Sequence, residues 1–182
     1  VNLTSVTLPK GLTGLGISAF GSCRSLKSIT FPDSLRSIGS GAFEGCPVTS
    51  VALPAGVTSI GEAAFKNCAS LTSVTLSDSL TSVGRYAFLG CGNLTGRIEF
   101  PSTLTTIGEN AFSNCTKVSG FYFAGAAPSV NACSEQSASF PKDSTLYFIY
   151  GKDGWVYDSG SNTWKGYKTG TWRKNSTDPA GG

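Results

Sequence analysis

Six cysteines, eleven carboxylates and no histidine set the chemistry open to this chain. Without histidine there is no Ser-His-Asp or Cys-His arrangement. A thiol with no neighbouring base keeps its ordinary, weakly nucleophilic state. Zinc is disfavoured on the same ground, because there is neither an imidazole nor a C-x-x-C pair to share a metal. A pair of carboxylates working as glycosidase acid and base stays open in principle. Position argues against it: Glu44, Glu62 and Glu109 each fall on or beside the same recurring turn, where a solvated convex side is expected. The chain therefore reads as no enzyme, with no cofactor and no metal.

The cysteines do share a place. Cys23, Cys46, Cys68, Cys91 and Cys115 each close an A-F-x-x-C string, at steps of 23, 22, 23 and 24 residues. A fixed period in this range is the mark of a solenoid. Five cysteines at one repeat position stack into a column of small apolar side chains. Their side chains point the same way, which is poor geometry for bonding, so free buried thiols are expected. Cys133 lies outside the column, and a pairing with Cys115 stays open. The short step follows Cys46, where Pro47-Val48 replaces three residues, and the long step carries one extra residue between Leu94 and Ile98.

Two apolar runs position these strings. The first reads L-x-x-I-x-L, as in Leu26, Ile29 and Phe31 or Leu71, Val74 and Leu76, and a proline usually ends it, with Ser77 the exception. Its alternation is that of a half-buried strand. The second reads L-x-x-I-G, as in Leu35, Ile38 and Gly39, with the glycine expected to allow a turn. A-F then follows on a short helical turn. Neighbouring coils must cover each other's apolar faces. The fold class expected is a right-handed, mainly β repeat solenoid, with one parallel sheet from the L-x-x-I-x-L runs and the A-F-x-x-C turns elsewhere on the coil. Phe20, Phe43, Phe65, Phe88 and Phe112 form an aromatic spine in it.

The string C-x-x-L-x-x-I-x-L-P-x-x-L-x-x-I-G-x-x-A-F resembles the BspA-type leucine-rich repeat of bacterial surface proteins over residues 1–123. The resemblance implies a leucine-rich repeat solenoid and adhesion to a host protein or another cell. The organisation expected is a repeat array over 1–123, a C-terminal capping region over 124–174 and a linker over 175–182. Val118 to Phe123 begin a sixth strand with no second half after it, and Thr145 to Tyr150 read as a further strand. The stretch T-L-Y-F-I-Y-G-K-D-G-W is similar to tails that close repeat arrays in related surface proteins. The chain opens inside a repeat without methionine, which is expected of a fragment of a longer, secreted or cell-surface protein.

Charge is modest, +3 with charged residues at 14%, and the basic residues are scattered, which argues against nucleic acid. No apolar run has membrane-spanning length. The expected partner is an extracellular protein or a glycan, met by a monomer tethered within a longer chain. A spacer with no partner is the third option. The polar strand positions are the best place for contact, since such sheets offer extended binding surfaces. Lys27, Thr30, Thr75, Arg97, Glu99 and Tyr122 are the candidate binding residues; the last three break a Ser/Thr monotony that otherwise suits any soluble strand. A Ser-x-Thr array that orders water is interrupted by Ala52 and Glu99. In the tail, Trp155, Tyr157, Trp164, Tyr167 and Trp172 serve either to cover the solenoid end or to stack on sugars.

Overall fold

The computed structural model describes residues 2–130, 138–148, 163–164 and 167–171. Its strands, in chain order, are β1 (Gly14–Leu15), β2 (Ser37–Ile38), β3 (Ser50–Ala52), β4 (Ser59–Ile60), β5 (Ser73–Thr75), β6 (Ser82–Val83), β7 (Gly96–Phe100), β8 (Thr106–Ile107), β9 (Val118–Phe123), β10 (Thr145–Phe148), β11 (Thr163–Trp164) and β12 (Tyr167–Thr171). The chain is a solenoid in which each coil lays its strands parallel to those of the coil before. Among the described strands only β11, folded back on β12, is antiparallel.

The most regular sheet is not the expected one. The L-x-x-I-G runs form a five-stranded parallel sheet, β1-β2-β4-β6-β8, with Ile38 opposite Ile60 and Ile60 opposite Val83. The L-x-x-I-x-L runs form two separate pieces: β3 with β5, and β7 with β9, which continues through β10 to β12 and β11. The length irregularities explain the difference. The short coil loses a residue just ahead of the first run and the long coil gains one inside it, so the ladder of that run is interrupted, while spacing from the second run through A-F-x-x-C is constant.

The expected helical turns are absent; the A-F-x-x-C strings are chains of turns. The residue before Ala-Phe and the residue before Cys both take left-handed backbone in each coil, for example Ala63 (φ 54°) and Asn67 (φ 58°). Such residues break a right-handed helix. Hydrogen bonding alternates accordingly. Phe43 N–H donates to Ala64 O of the next coil at 2.7 Å, whereas Glu44 N–H closes a turn on Gly41 O at 3.1 Å. The glycine after the second run also has a different reason than expected. Its φ is not left-handed, but a Cβ on Gly61 would stand 2.6 Å from Ser40 N, and one on Gly84 2.6 Å from Glu62 N. Coils touch backbone to backbone there, and only hydrogen fits.

The spine is present. Phe43, Phe65, Phe88 and Phe112 are fully buried, and successive rings from Phe20 on stack at 5.1 to 5.4 Å. It has a sixth member: Phe140 lies on Phe112 at 5.9 Å, 8° from parallel. The second half that the sequence withheld from the sixth coil therefore exists in degenerate form. Ile107 N–H donates to Ser129 O, and Phe112 N–H to Ser139 O, each at 2.8 Å, the same bonds that join regular coils. β10 then pairs with β9, covering the first four residues of the expected strand at 145–150. Tyr167 is buried edge-on against Phe140 at 5.4 Å. Trp155, Tyr157, Trp172, Cys133 and residues 175–182 lie outside the described residues.

The five column cysteines are free and buried. Each thiol from Cys46 on donates to a phenylalanine carbonyl one coil back, as Cys68 Sγ does to Phe43 O at 3.2 Å and Cys115 Sγ to Phe88 O at 3.2 Å. Burial pushes the Cys46 and Cys68 thiols up. For Cys91 the hydrogen bond with Cys115 comes first and burial second. Thiols held neutral and internally bonded are structural, not reactive.

Candidate functional site

The outward positions of the first-run strands form two columns. One begins Thr30, Ala52, Thr75 and continues with Glu99, Tyr122 and Tyr147; the other begins Ser28, Ser50, Ser73 and continues with Arg97 and Gly120. The face thus changes from small hydroxyl side chains to charged and aromatic ones at β7. The extra residue of the 24-residue coil is taken up at the same point. Gly96 sits at φ +72°, and the register of β7 against β9 shifts between Gly96 and Arg97. Such a bulge re-aims side chains and stops pairing.

β5 and β7 are accordingly not laddered. Leu53 N–H donates to Thr75 O at 3.0 Å, but among the described residues no bond joins the next equivalent pair, Leu76 N–H and Glu99 O. A cleft of about 440 Å³ opens there, between Val74–Asp78 on one side and Arg97, Glu99, Phe100, Pro101 and Ala124 on the other. Ser77, which stands where other coils carry proline, lies on its wall. The side chain is buried yet satisfied: its hydroxyl donates to Ala55 O at 2.7 Å and accepts from Ser79 N–H at 3.1 Å. Two irregularities of the repeat, the missing proline and the extra residue, thus meet at one place.

Beside the cleft the side chains are interlocked. Arg97 Nε pairs with Glu99 Oε1 at 2.6 Å, and the guanidinium carbon lies 5.7 Å from the centre of the Tyr122 ring. Tyr122 and Tyr147 stack at 4.4 Å, 10° from parallel. Gly120 makes this possible, since a Cβ there would stand 2.6 Å from the Tyr147 ring. Burial, and then the neighbouring Tyr147, push the Tyr122 hydroxyl up against the pull of Arg97. Both partners of the ion pair are about two-fifths exposed, so its value lies in orientation more than in stability.

Of the six residues singled out by sequence, the structure gathers four. Thr75, Arg97 and Glu99 line the cleft, with Tyr122 alongside. Tyr122 is not the exposed contact expected: at 5% exposure it is a support, covered by its neighbours. Lys27 and Thr30 are exposed two and more coils away and do not join the cleft. Asp78 and Tyr147 belong to the site but escape the sequence reading. Asp78 lies beyond the strand run, and Tyr147 lies past the point where the period is lost. Its signal is the alternation of Thr145-Leu146-Tyr147-Phe148, which matches Gly120-Phe121-Tyr122-Phe123. The arrangement offers shape, an ion pair and aromatic surface. Among the described residues no three metal-ligating side chains come together.

Comparison with known proteins agrees with this architecture. The profile of the BspA type leucine rich repeat region matches residues 1–119 in six copies. Solved structures of similar shape include a leucine-rich repeat protein from Bacteroides ovatus, 27% identical over 90% of this chain with a TM-score of 0.60. A leucine rich repeat protein of T. pallidum is 26% identical over 80% of this chain, with a TM-score of 0.64. A leucine rich cell surface protein from Faecalibacterium prausnitzii is 29% identical over 82%, with a TM-score of 0.52. The chain spans 44% of the first of these proteins, 73% of the second and 50% of the third. No curated protein sequence matches it.

Proposed function

Because the chain belongs to the BspA-type leucine-rich repeat family, we propose that it is a non-catalytic binding module of a bacterial cell-surface or secreted protein. It engages an extracellular protein through the strand face at β5, β7, β9 and β10. One observation carries the reading: the outward columns abandon Ser and Thr for Arg97, Glu99, Tyr122 and Tyr147 where the sheet parts into a cleft. Aromatic and arginine side chains on a rigid scaffold are the residues that concentrate binding energy in protein interfaces. The likeness to a cell surface protein of F. prausnitzii supports the location.

Surface plasmon resonance of the whole chain against a panel of extracellular proteins tests this. Binding to a panel member should fall on Arg97→Ala and on Tyr147→Ser, while Lys27→Ala and Thr30→Ala leave it unchanged. A protein ligand whose binding survives both of the first two substitutions would place contact elsewhere. The absence of any ligand would favour a spacer.

A further inference from the structure

We propose a second site on this chain: the cavity between residues 110–116 and 138–144 binds a neutral saccharide. It lies at the corner where the last A-F-x-x-C turn leads into β9, and it is separate from the cleft between β5 and β7. Its volume is about 790 Å³, within the size range of small-ligand sites.

The cavity exists because one coil leaves early. At the position before each cysteine, the N–H donates to the next coil: Ser22 to Glu44 O, Gly45 to Lys66 O, Asn67 to Leu89 O and Gly90 to Ser113 O. The fifth member, Asn114, has Pro141 at the equivalent place and makes no such bond among the described residues. The sixth coil is longer, with Phe140 following Phe112 by 28 residues where other steps are 22 to 24. It closes the spine at Phe140 and then departs, leaving Asn114 on the cavity wall with its N–H outside the ladder between coils.

Tyr86 is the second observation. It occupies the left-handed position before Ala-Phe at φ 59°, where other coils carry Ser18, Gly41, Ala63 and Asn110. A bulky side chain at such a φ is strained, and strain of this kind gathers at functional sites. Tyr86 lines the cavity. The Arg85 guanidinium lies 4.5 Å from the ring centre and is itself paired with Glu109 at 3.0 Å, so the ring is held in place.

The rest of the lining fits hydroxyl groups. Asn110 is oriented by Ser113, whose hydroxyl lies 2.9 Å from Asn110 Oδ1, and by Glu109 Oε1, which accepts from Asn110 Nδ2 at 3.3 Å. Asn114 adds a side-chain amide to its open N–H. Amides and hydroxyls donate and accept alike, as sugar hydroxyls do. A flat ring meets the apolar face of a pyranose. Among the described residues of the lining the formal charges, those of Lys142 and Asp143, sum to zero, which suits a neutral ligand.

The test is titration calorimetry of the whole chain with a panel of neutral mono- and oligosaccharides, with short peptides in a second arm. At least one saccharide should bind. Tyr86→Asn should weaken it by roughly tenfold while the melting temperature stays or rises, because asparagine takes the left-handed region readily, as Asn110 does. Tyr147→Ser should leave saccharide binding unchanged. No saccharide binding, equal binding by Tyr86→Asn, or binding of peptides in place of sugars would each overturn the proposal. The two sites are told apart by their variants: peptide binding that falls on Tyr147→Ser belongs to the strand face, and only loss of binding on Tyr86→Asn reports this cavity.

Discussion

Replacing Phe65 with alanine removes a ring that touches no solvent and is stacked on both sides, 5.3 Å from Phe43 and 5.2 Å from Phe88. Deleting a buried phenylalanine costs about 3–5 kcal/mol through lost transfer energy and the cavity left behind. The upper part of that range applies here. Two stacked pairs are lost together, each worth about 0.5–1.5 kcal/mol beyond burial, and the backbone ladder on both sides prevents collapse into the space. A domain of this kind holds about 5–15 kcal/mol in all, so the variant sits near the edge of folding. Phe20 supplies the internal control. It is half-buried and, among the described residues, stacks on Phe43 alone, at 5.4 Å, so Phe20→Ala should cost about half as much. Lys66→Ala removes only a half-buried ion pair with Glu44 at 2.9 Å, still wetted by solvent, and should cost no more than about 1 kcal/mol. Urea unfolding followed by circular dichroism measures all three. Equal costs for Phe65→Ala and Phe20→Ala would refute the claim that stacking between coils, and not ring burial in general, holds the array together.

Ala63 takes a left-handed φ of 54° at the place where Gly41 stands one coil earlier. Ala63→Gly should therefore stabilise by about 0.5 kcal/mol, relief of strain exceeding the added chain entropy, whereas Ala64→Gly, at a fully buried site, should destabilise; the order of the two melting temperatures decides. The raised thiols of Cys46, Cys68 and Cys91 mean that the folded chain keeps protons the unfolded chain releases. Their contribution is intact below the unfolded thiol pKa of about 8.5 and is lost as pH rises above it, by up to about 1.4 kcal/mol per thiol per pH unit. Melting temperature should decline between pH 8.5 and 10.5, and the decline should shrink in Cys68→Ala; a flat profile would contradict buried neutral thiols. Ending the chain after Phe123 removes Phe140 and β10, which cover Phe112 and Phe121, so residues 1–123 should associate end to end in sedimentation experiments.

Much of this molecule is legible in one dimension. A repeat that returns Ala-Phe and Cys at nearly constant steps declares which residues are equivalent, and equivalence in a solenoid means stacking. The spine, the buried thiol column and the parallel run of coils all follow from that. So does the suspicion attached to Arg97 and Glu99, because a change of residue type within a column is visible as soon as the column is known. Periodicity is silent about how closely two rungs approach. Gly61 and Gly84 read as turn residues until the backbone contact across coils shows that a Cβ has no room. The second sheet was hidden too, since two-residue strands carry no alternation long enough to detect.

Local pattern alone fixes the stacked positions: the phenylalanines from Phe20 to Phe112, the column of cysteines and the apolar strand residues. The tertiary structure decided where the stacking is broken and what gathers at the break. An extra residue at Gly96 could have bulged outward without consequence; the parting of β5 from β7, the Arg97–Glu99 pair beside Tyr122 and Tyr147, and the open N–H of Asn114 follow from how each coil settles on its neighbour. Phe140 shows the same limit, because its place on the spine comes from contact with Phe112 after the spacing that would announce it has gone. Order within a coil is written in side-chain pattern, but continuity between coils is a matter of backbone hydrogen bonds, which every sequence offers equally and only packing assigns.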